Sequence, residues 1–448
     1  MFVDFSFDVW KEDFRADAIV WNDQPYTYEW LLQRIQSWTS NLDREKVERG
    51  SIVFVTGDFS PNSVALFLSL IQGGCIIVPL TPQQTQKAKL IETAQAEVAI
   101  EVGADDAVRV TRLAGTATHP LYQELRRRSH PGLVLFTSGS TGESKGAVHD
   151  LVPLLEKFKL RREPLRTISF LLYDHIGGVN TLLHTLANRG CLVTIPDRSP
   201  DGVLRTIEKH RVQLLPTSPT FLNLMLISEA YERHDLSSLR AITYGTEPMP
   251  EQTLRRLHEL LPHVQLKQTY GLSELGILRA KSKDSSSLWV KIGGQGFATR
   301  VINGILQVKA KSAMLGYLNA PSPFTDDGWF NTGDAVEVDG EYFKILGRQS
   351  EIINVGGEKV YPAEVENVIQ ELDDVSEVTV YGERNPITGN IVCANVTPVA
   401  ELDEAQRKAL ITRVKKYCRQ KLESYKAPIK VNITSERQHT DRFKKARR

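Results

Sequence analysis

Cysteine, surplus charge and long apolar runs are what this sequence has least of, and each shortage removes a class of answers. Four cysteines occur, Cys75, Cys191, Cys393 and Cys418, with no C-x-x-C pair and no metal-ligand spacing. That leaves no disulfide framework and no thiolate metal site to read, and buried thiols in a reducing, cytoplasmic setting are expected. Lysine plus arginine number 55 against 54 aspartate plus glutamate, a formal net charge of +1. No global field therefore argues for nucleic acid or an acidic membrane as partner. The longest apolar stretch, Val64 to Leu80, is broken by Gln72, Gly73 and Gly74. It reads as a helix, a glycine turn and a strand rather than a membrane span. Met1-Phe2-Val3-Asp4-Phe5 shows no basic region ahead of an apolar core, so no secretory leader is expected.

What is present is an ordinary globular composition, 41% hydrophobic and 24% charged over 448 residues, enough for two to three domains with ample core. Short apolar runs alternate with amphipathic stretches up to about Gly347. Strands are expected at Ser51–Val55, Cys75–Val78, Leu133–Phe136, Ile168–Leu172, Cys191–Ile195, Leu214–Leu215, Ala241–Tyr244 and Val264–Gln268, with a helix at Gln252–Leu261. Such alternation predicts α/β architecture: a large N-terminal domain of parallel-rich sheets with flanking helices. Lys281–Ser287 reads as a surface loop, and from Gly304 to Leu346 the runs shorten into a β subdomain. After Gly347-Arg348 a small α+β unit follows, in which Val365, Val368, Ile369 and Leu372 recur at helical spacing behind Pro362. The division expected is 1–348 and 349–448, with a tight hinge at Gln349–Glu351, since no Gly/Ser-rich linker intervenes.

The densest chemistry lies in Thr137-Ser138-Gly139-Ser140-Thr141-Gly142-Glu143-Ser144-Lys145-Gly146, directly after the apolar run Leu133 to Phe136. Glycines let backbone amides turn towards an anion, hydroxyls add donors and Lys145 supplies charge: a phosphate cradle by composition. The spacing is neither that of a P-loop NTPase nor a dinucleotide-binding G-x-G-x-x-G.

Further motifs follow in order: Tyr244-Gly245-Thr246-Glu247-Pro248, Tyr270-Gly271-Leu272-Ser273-Glu274, Phe330-Asn331-Thr332-Gly333-Asp334, Gly347-Arg348, Gly356-Gly357-Glu358-Lys359-Val360-Tyr361-Pro362 and Thr440-Asp441-Arg442-Phe443-Lys444. Together with the glycine-rich loop, this series resembles the adenylate-forming superfamily: acyl-CoA synthetases, peptide-synthetase adenylation domains and luciferases. It runs from about Asn62 to the C-terminus, closest to the AMP-forming acyl-CoA ligases. The departures are Ser144 for proline, Ser273 for threonine, Ser350 at the hinge and Phe443 for the glycine before the lysine.

The resemblance implies an ATP-dependent ligase that turns a carboxylic acid into an acyl-adenylate and passes the acyl group to CoA. Thr137 to Gly142 and Lys145 would hold the β- and γ-phosphates, and Glu274 would coordinate Mg²⁺ as a hard oxygen ligand. Tyr270 would stack on adenine, with Gly271 and Ser273 beside it and Gly245, Thr246 and Glu247 closing the other side. Asp334 would accept hydrogen bonds from the ribose, and Arg348 would add charge nearby. Lys444, rather than Lys445, would offset charge growing on the α-phosphate and carboxylate oxygens. The small domain is implied to be a mobile lid that rotates and presents Gly356 and Gly357 to a phosphopantetheine thiol.

Phe170-Leu171-Leu172-Tyr173-Asp174-His175-Ile176-Gly177-Gly178 is read in two registers. In one, His175 gates the path of the carboxylate or thiol. In the other, Asp174 pairs with the ammonium of an amino acid. The acceptor is CoA or, in trans, the phosphopantetheine of an acyl carrier protein. Homodimerisation stays open, as does a nucleotide-binding homologue without catalysis. Fatty acid metabolism is the broad setting implied.

Overall fold

The computed structural model describes residues 3–138, 143–294, 296–440 and 443–445. Of the expected site residues, Gly139, Ser140, Thr141 and Gly142 lie outside these. The architecture is mixed α/β, with two seven-stranded sheets, a six-stranded antiparallel sheet and a smaller C-terminal sheet among the described residues.

The first large sheet runs Gly316–Tyr317, Ser144–Asp150, Gly132–Ser138, Ile76–Leu80, Ile52–Thr56, Val98–Val102, Val108–Arg112. Its centre is parallel, as in the pairing of Ile52 with Ile76 and of Ile76 with Gly132. Both faces are covered. Val53, Val55, Ile77, Leu133 and Leu135 face one core cluster, while Ile52, Phe54, Ile76, Val78 and Val134 face another. That two-sided burial is why these strands read as unbroken Val/Ile/Leu runs. The second large sheet runs Gln265–Gln268, Ala241–Tyr244, Leu214–Thr217, Arg166–Ile168, Cys191–Val193, Asp17–Trp21, Gln24–Thr27, and is parallel except for the last pair. Helices Tyr28–Arg44, Pro61–Gly73 and Ile176–Ala187 supply Leu31, Ile35, Leu66, Leu70, Leu182 and Leu186 to the core that also takes Ile19 and Leu192 from this sheet.

The broken apolar stretch resolves as its composition predicts. Ser60 caps helix Pro61–Gly73 in a reciprocal box with Ser63, Pro61 begins it, and Gly74 ends it at φ +78° before strand Ile76–Leu80. Two expectations need correcting. The strand begun at Ile168 stops there rather than at Leu172, because residues 171–172 fold against the first turn of helix Ile176–Ala187. A Cβ on Gly178 would lie 2.0 Å from the Leu172 carbonyl oxygen. Part of the expected surface loop, Ala280–Ser282, is an edge strand paired with Val290–Ile292.

The antiparallel sheet orders Ala280–Ser282, Val290–Ile292, Tyr342–Arg348, Phe330–Asp339, Ile305–Ala310 and Phe297–Ile302. After a 3₁₀ turn at Gln349–Glu351 comes the C-terminal sheet, where Gly389–Pro398 lies between Val375–Asn385 and Lys430–Ile433. Helices Pro362–Ile369 and Glu404–Lys421 bury Val365, Ile369, Leu410 and Val414 with it.

Candidate active site

In parallel sheets, ligands gather at the loops beyond the carboxyl ends of the strands, and here two such loops converge with the C-terminal segment. The first follows strand Ala241–Tyr244. Gly245 passes so close to the next loop that a Cβ would lie 2.6 Å from Thr269 Oγ1 and 2.8 Å from its carbonyl oxygen. Thr246 then takes φ +77°, a left-handed conformation that a β-branched residue adopts only under constraint, and one that clusters at functional sites. Glu247 provides part of the constraint, since its Oε1 accepts from Thr220 N at 2.8 Å and its Oε2 from Lys445 N at 3.1 Å.

The second loop carries Tyr270, Gly271, Ser273 and Glu274. Gly271 and Leu272 pair with Ile277 and Gly276 in a tight hairpin, and a Cβ on Gly271 would lie 2.8 Å from the Gly276 carbonyl oxygen. The turn is held from behind. The buried His149 imidazole donates from Nε2 to the Ser273 carbonyl, and Met314 N donates to the Glu274 carbonyl at 2.7 Å. Burial pushes the His149 pKa down to about 4, so it is neutral. The Glu274 carboxylate accepts from the Tyr317 hydroxyl at 2.7 Å, and the Lys145 ammonium stands 5.5 Å over the Tyr317 ring. Thr137 and Lys145 are cross-strand partners, so the two stems of the glycine-rich loop are one antiparallel ribbon. Asn319 clamps that ribbon, accepting from Gly146 N and donating to the Ser144 carbonyl. Ser138 closes the first stem opposite Ser144.

Asp334 and Arg348 face each other across the antiparallel sheet and form an ion pair of 2.8 Å. Arg348 also donates to the Thr332 carbonyl, and Asp334 accepts from the Tyr270 hydroxyl at 2.6 Å. Burial raises the Asp334 pKa, with Arg348 opposing it, and raises that of Tyr270 well above its usual value. The arrangement is a buried carboxylate with two partners, close to a second carboxylate at Glu274.

The third element is the C-terminal segment. Ser218, capping the helix after strand Leu214–Thr217, donates to the Phe443 carbonyl at 2.6 Å. With Lys445 N on Glu247, this carries Lys444 into a cavity it shares with Thr246, His175, Ser218 and Arg198. The Lys445 ammonium turns the other way, pairing at 2.9 Å with Glu366, which also accepts from Val380 N. The two adjacent lysines are thus separated by direction. His175 lines the cavity and caps helix Ile176–Ala187, accepting at Nδ1 from Gly177 N. Asp174 is buried, accepts from Thr81 Oγ1 at 3.5 Å and is not among the cavity's lining residues. Gly356 and Gly357 sit apart, in the turn between Ile353–Val355 and Glu358–Val360, at φ +61° and +94° with open space around them.

Sequence reading missed Arg198, Ser218, Tyr317, Asn319 and Glu366. Of these only Ser218, in Thr217-Ser218-Pro219, carries a local signal: a helix cap directly after a strand.

Two family models match the chain: "AMP-binding enzyme" over residues 8–303 and "AMP-binding enzyme C-terminal domain" over residues 364–444. Indoleacetate–CoA ligase of Aromatoleum aromaticum is 29% identical over 437 residues, covering 85% of each chain. Feruloyl-CoA synthase of Amycolatopsis sp is 27% identical, covering 94% of this chain and 92% of the relative. Among solved structures, the anthranilate CoA ligase AuaEII in complex with anthranoyl-AMP superposes with a TM-score of 0.84 at 20% identity, over 99% of this chain and 95% of that one.

Proposed function

The chain belongs to the AMP-binding enzyme family, and from that premise we propose that it is an AMP-forming acid–thiol ligase whose acceptor is CoA. In the first step a carboxylate oxygen attacks the α-phosphorus of ATP and pyrophosphate leaves. In the second a thiol sulfur attacks the acyl carbon, its proton is lost and AMP leaves. The observation that carries the proposal is the entry of Lys444 into a cavity made by the loops after four parallel strands, beside Thr246, Ser218 and His175. A cation aimed at that point offsets charge that grows on the oxygens of both reactants.

We assign the other roles from the family motifs, with the surroundings of the described residues in support. Lys145 and the loop of Thr137 to Gly142 take the β- and γ-phosphates, and Gly245 to Glu247 with Tyr270 and Gly271 take the adenine side. Asp334 exchanges its bond from Tyr270 for bonds from the ribose hydroxyls, with Arg348 holding it in place. Ser273 supports the turn of Glu274. Among the described residues no cluster of three His, Cys, Asp or Glu side chains could hold a metal. Mg²⁺ is commonly held by one or two carboxylates together with substrate phosphates, and Glu274 is the carboxylate offered. When bound, the ion would neutralise charge on those phosphates.

We further propose residues 1–348 and 349–448 as two bodies pivoting at Gln349–Glu351, so that Lys444 withdraws and the Gly356–Gly357 turn opens a route for the thiol. The acids named for both relatives, indoleacetate and ferulate, contain an aromatic ring, in keeping with the aromatic lining contributed here by Phe170 and Phe443. No helix among the described residues is long and apolar enough to cross a membrane, and the acid is taken to arrive from water. The test is mass spectrometry of a reaction containing Mg-ATP, CoA and a panel of carboxylic acids including amino acids. An acyl-CoA with matching AMP is expected. ATP binding without AMP from any acid overturns the reading, and an acyl-adenylate that persists beside unused CoA transfers the acceptor role to a carrier protein.

A further inference from the structure

Phe443 holds a φ of +51°, in the left-handed region where glycine is at ease and a phenylalanine is not. Its surroundings impose that conformation. Its carbonyl accepts from Ser218 Oγ, its amide donates to the Thr440 carbonyl at 2.8 Å, and its ring stacks on His439 at 5.6 Å and 11°. His439 is itself tied to Glu377 of the C-terminal sheet by a 2.6 Å contact. On its other side the Phe443 ring meets Phe170 at 5.4 Å and Phe221 at 5.5 Å, edge-on to the latter. These are the separations at which aromatic pairs attract. A strained residue of the C-terminal segment is therefore plugged into the aromatic core of the large sheet, one residue before Lys444.

The ring lines the same cavity as Lys444, Thr246 and His175, and with it in place the room left for the centre of a water-sized sphere is about 20 Å³. The enclosed part of that space holds roughly one water, and the rest of the cavity opens to solvent, with the Phe443 ring forming its wall beside Lys444. The Phe443 and Phe170 rings, 5.4 Å apart, give that wall flat faces against which another flat ring can pack. We propose that Phe443 is the specificity-determining residue of the acid site, restricting it to planar aryl carboxylic acids and excluding long alkyl chains. The inference rests on the ligase reading above and deepens it. It also makes selection depend on the segment that carries the lysine: the cavity has its Phe443 wall only while Lys444 is in place.

The test uses the full-length protein and pyrophosphate release with Mg-ATP over benzoate, phenylacetate, cinnamate, hexanoate and dodecanoate. Wild type is expected to favour the ring acids. Phe443→Gly should raise dodecanoate relative to benzoate by at least about tenfold, since a single methylene in an apolar pocket already discriminates by that order. Phe443→Trp should narrow the range further. A common factor for all five acids in both variants overturns the proposal, as does a wild type that prefers dodecanoate. If Phe443→Gly does not melt cooperatively, Phe443→Leu and Phe443→Trp make the same comparison. A wild type that releases no pyrophosphate with any acid overturns the ligase reading and this proposal together. A uniform response of an active enzyme overturns this proposal alone.

Discussion

The sheet around Ile76 and the seam at residues 443–445 are built on opposite principles. In the sheet, Ile52, Ile76, Leu133 and Val134 are wholly buried on both faces and need nothing but shape and apolar area. In the seam, a short segment is held by single contacts: Ser218 to Phe443, Glu247 to Lys445 N, Lys445 to Glu366 and one aromatic cluster. Apolar burial over many strands is cooperative and unyielding, whereas a few hydrogen bonds and one ion pair can be exchanged for water at small net cost. Lys145 and Asp334, proposed for phosphate and ribose, stand on strands of the sheets, and Lys444 stands on the exchangeable segment. A two-step ligase needs that division.

The sharpest way to break the comparison is at Lys444. Lys444→Ala should lower adenylate formation by about 10³-fold, the upper end for losing one preorganised electrostatic group, while leaving ATP affinity and melting temperature unchanged. Pyrophosphate release and calorimetric titration of ATP read the two halves. On the rigid side the signs reverse. Leu133→Ala should destabilise the fold by about 3 kcal/mol, as cavities in close-packed cores do, with turnover per folded molecule preserved. Urea unfolding followed by active-site titration checks this.

A pH effect should also come from the rigid side. Burial holds His149 at about 4 in the folded protein, against an ordinary value of 6.5. The unfolded chain therefore binds that proton more tightly. Its contribution is whole above pH 6.5 and is lost as pH falls towards 4, worth roughly 3 kcal/mol at 1.36 kcal/mol per pH unit. His149→Gln, which can still donate to the Ser273 carbonyl, should flatten thermal stability across that window; an unchanged slope would assign the acid sensitivity elsewhere. The smallest effect concerns the seam's other lysine. Lys445→Met should slow adenylate formation about tenfold by freeing the segment from Glu366, while Lys445→Arg restores it. Thioester formation from supplied acyl-adenylate and CoA should not respond. Equal losses in both half-reactions would mean that Lys445 serves the fold rather than the placement of Lys444.

Much of this was readable in advance, for reasons specific to each region. Val53–Val55, Ile76–Val78 and Leu133–Leu135 announce buried parallel strands because a strand covered on both faces admits no polar residue. Gly73-Gly74 announces the end of a helix because a glycine stop is a local matter. Ile168–Leu172 misled, since an apolar run that wraps onto a helix looks the same as one that stays in a sheet. Between Asp174 and His175, and between Lys444 and Lys445, the adjacent candidates are told apart by where their side chains lead. Phe443 met Phe170 and Phe221, more than two hundred residues earlier, with no local trace of the pairing.

The amino-acid order by itself determined the element types, the glycine-rich and acidic motifs and the family, because periodicity, capping and motif spacing act over a few residues at a time. Only the tertiary structure decided which lysine enters the cavity, that Asp334 is already engaged by Tyr270 and Arg348, and that a phenylalanine of the C-terminal segment lines the cavity beside Lys444. Apart from the Asp334–Arg348 pair on adjacent strands, those are contacts between segments 64 to 273 residues apart, and their geometry comes into being only when separate sheets close on a common set of loops.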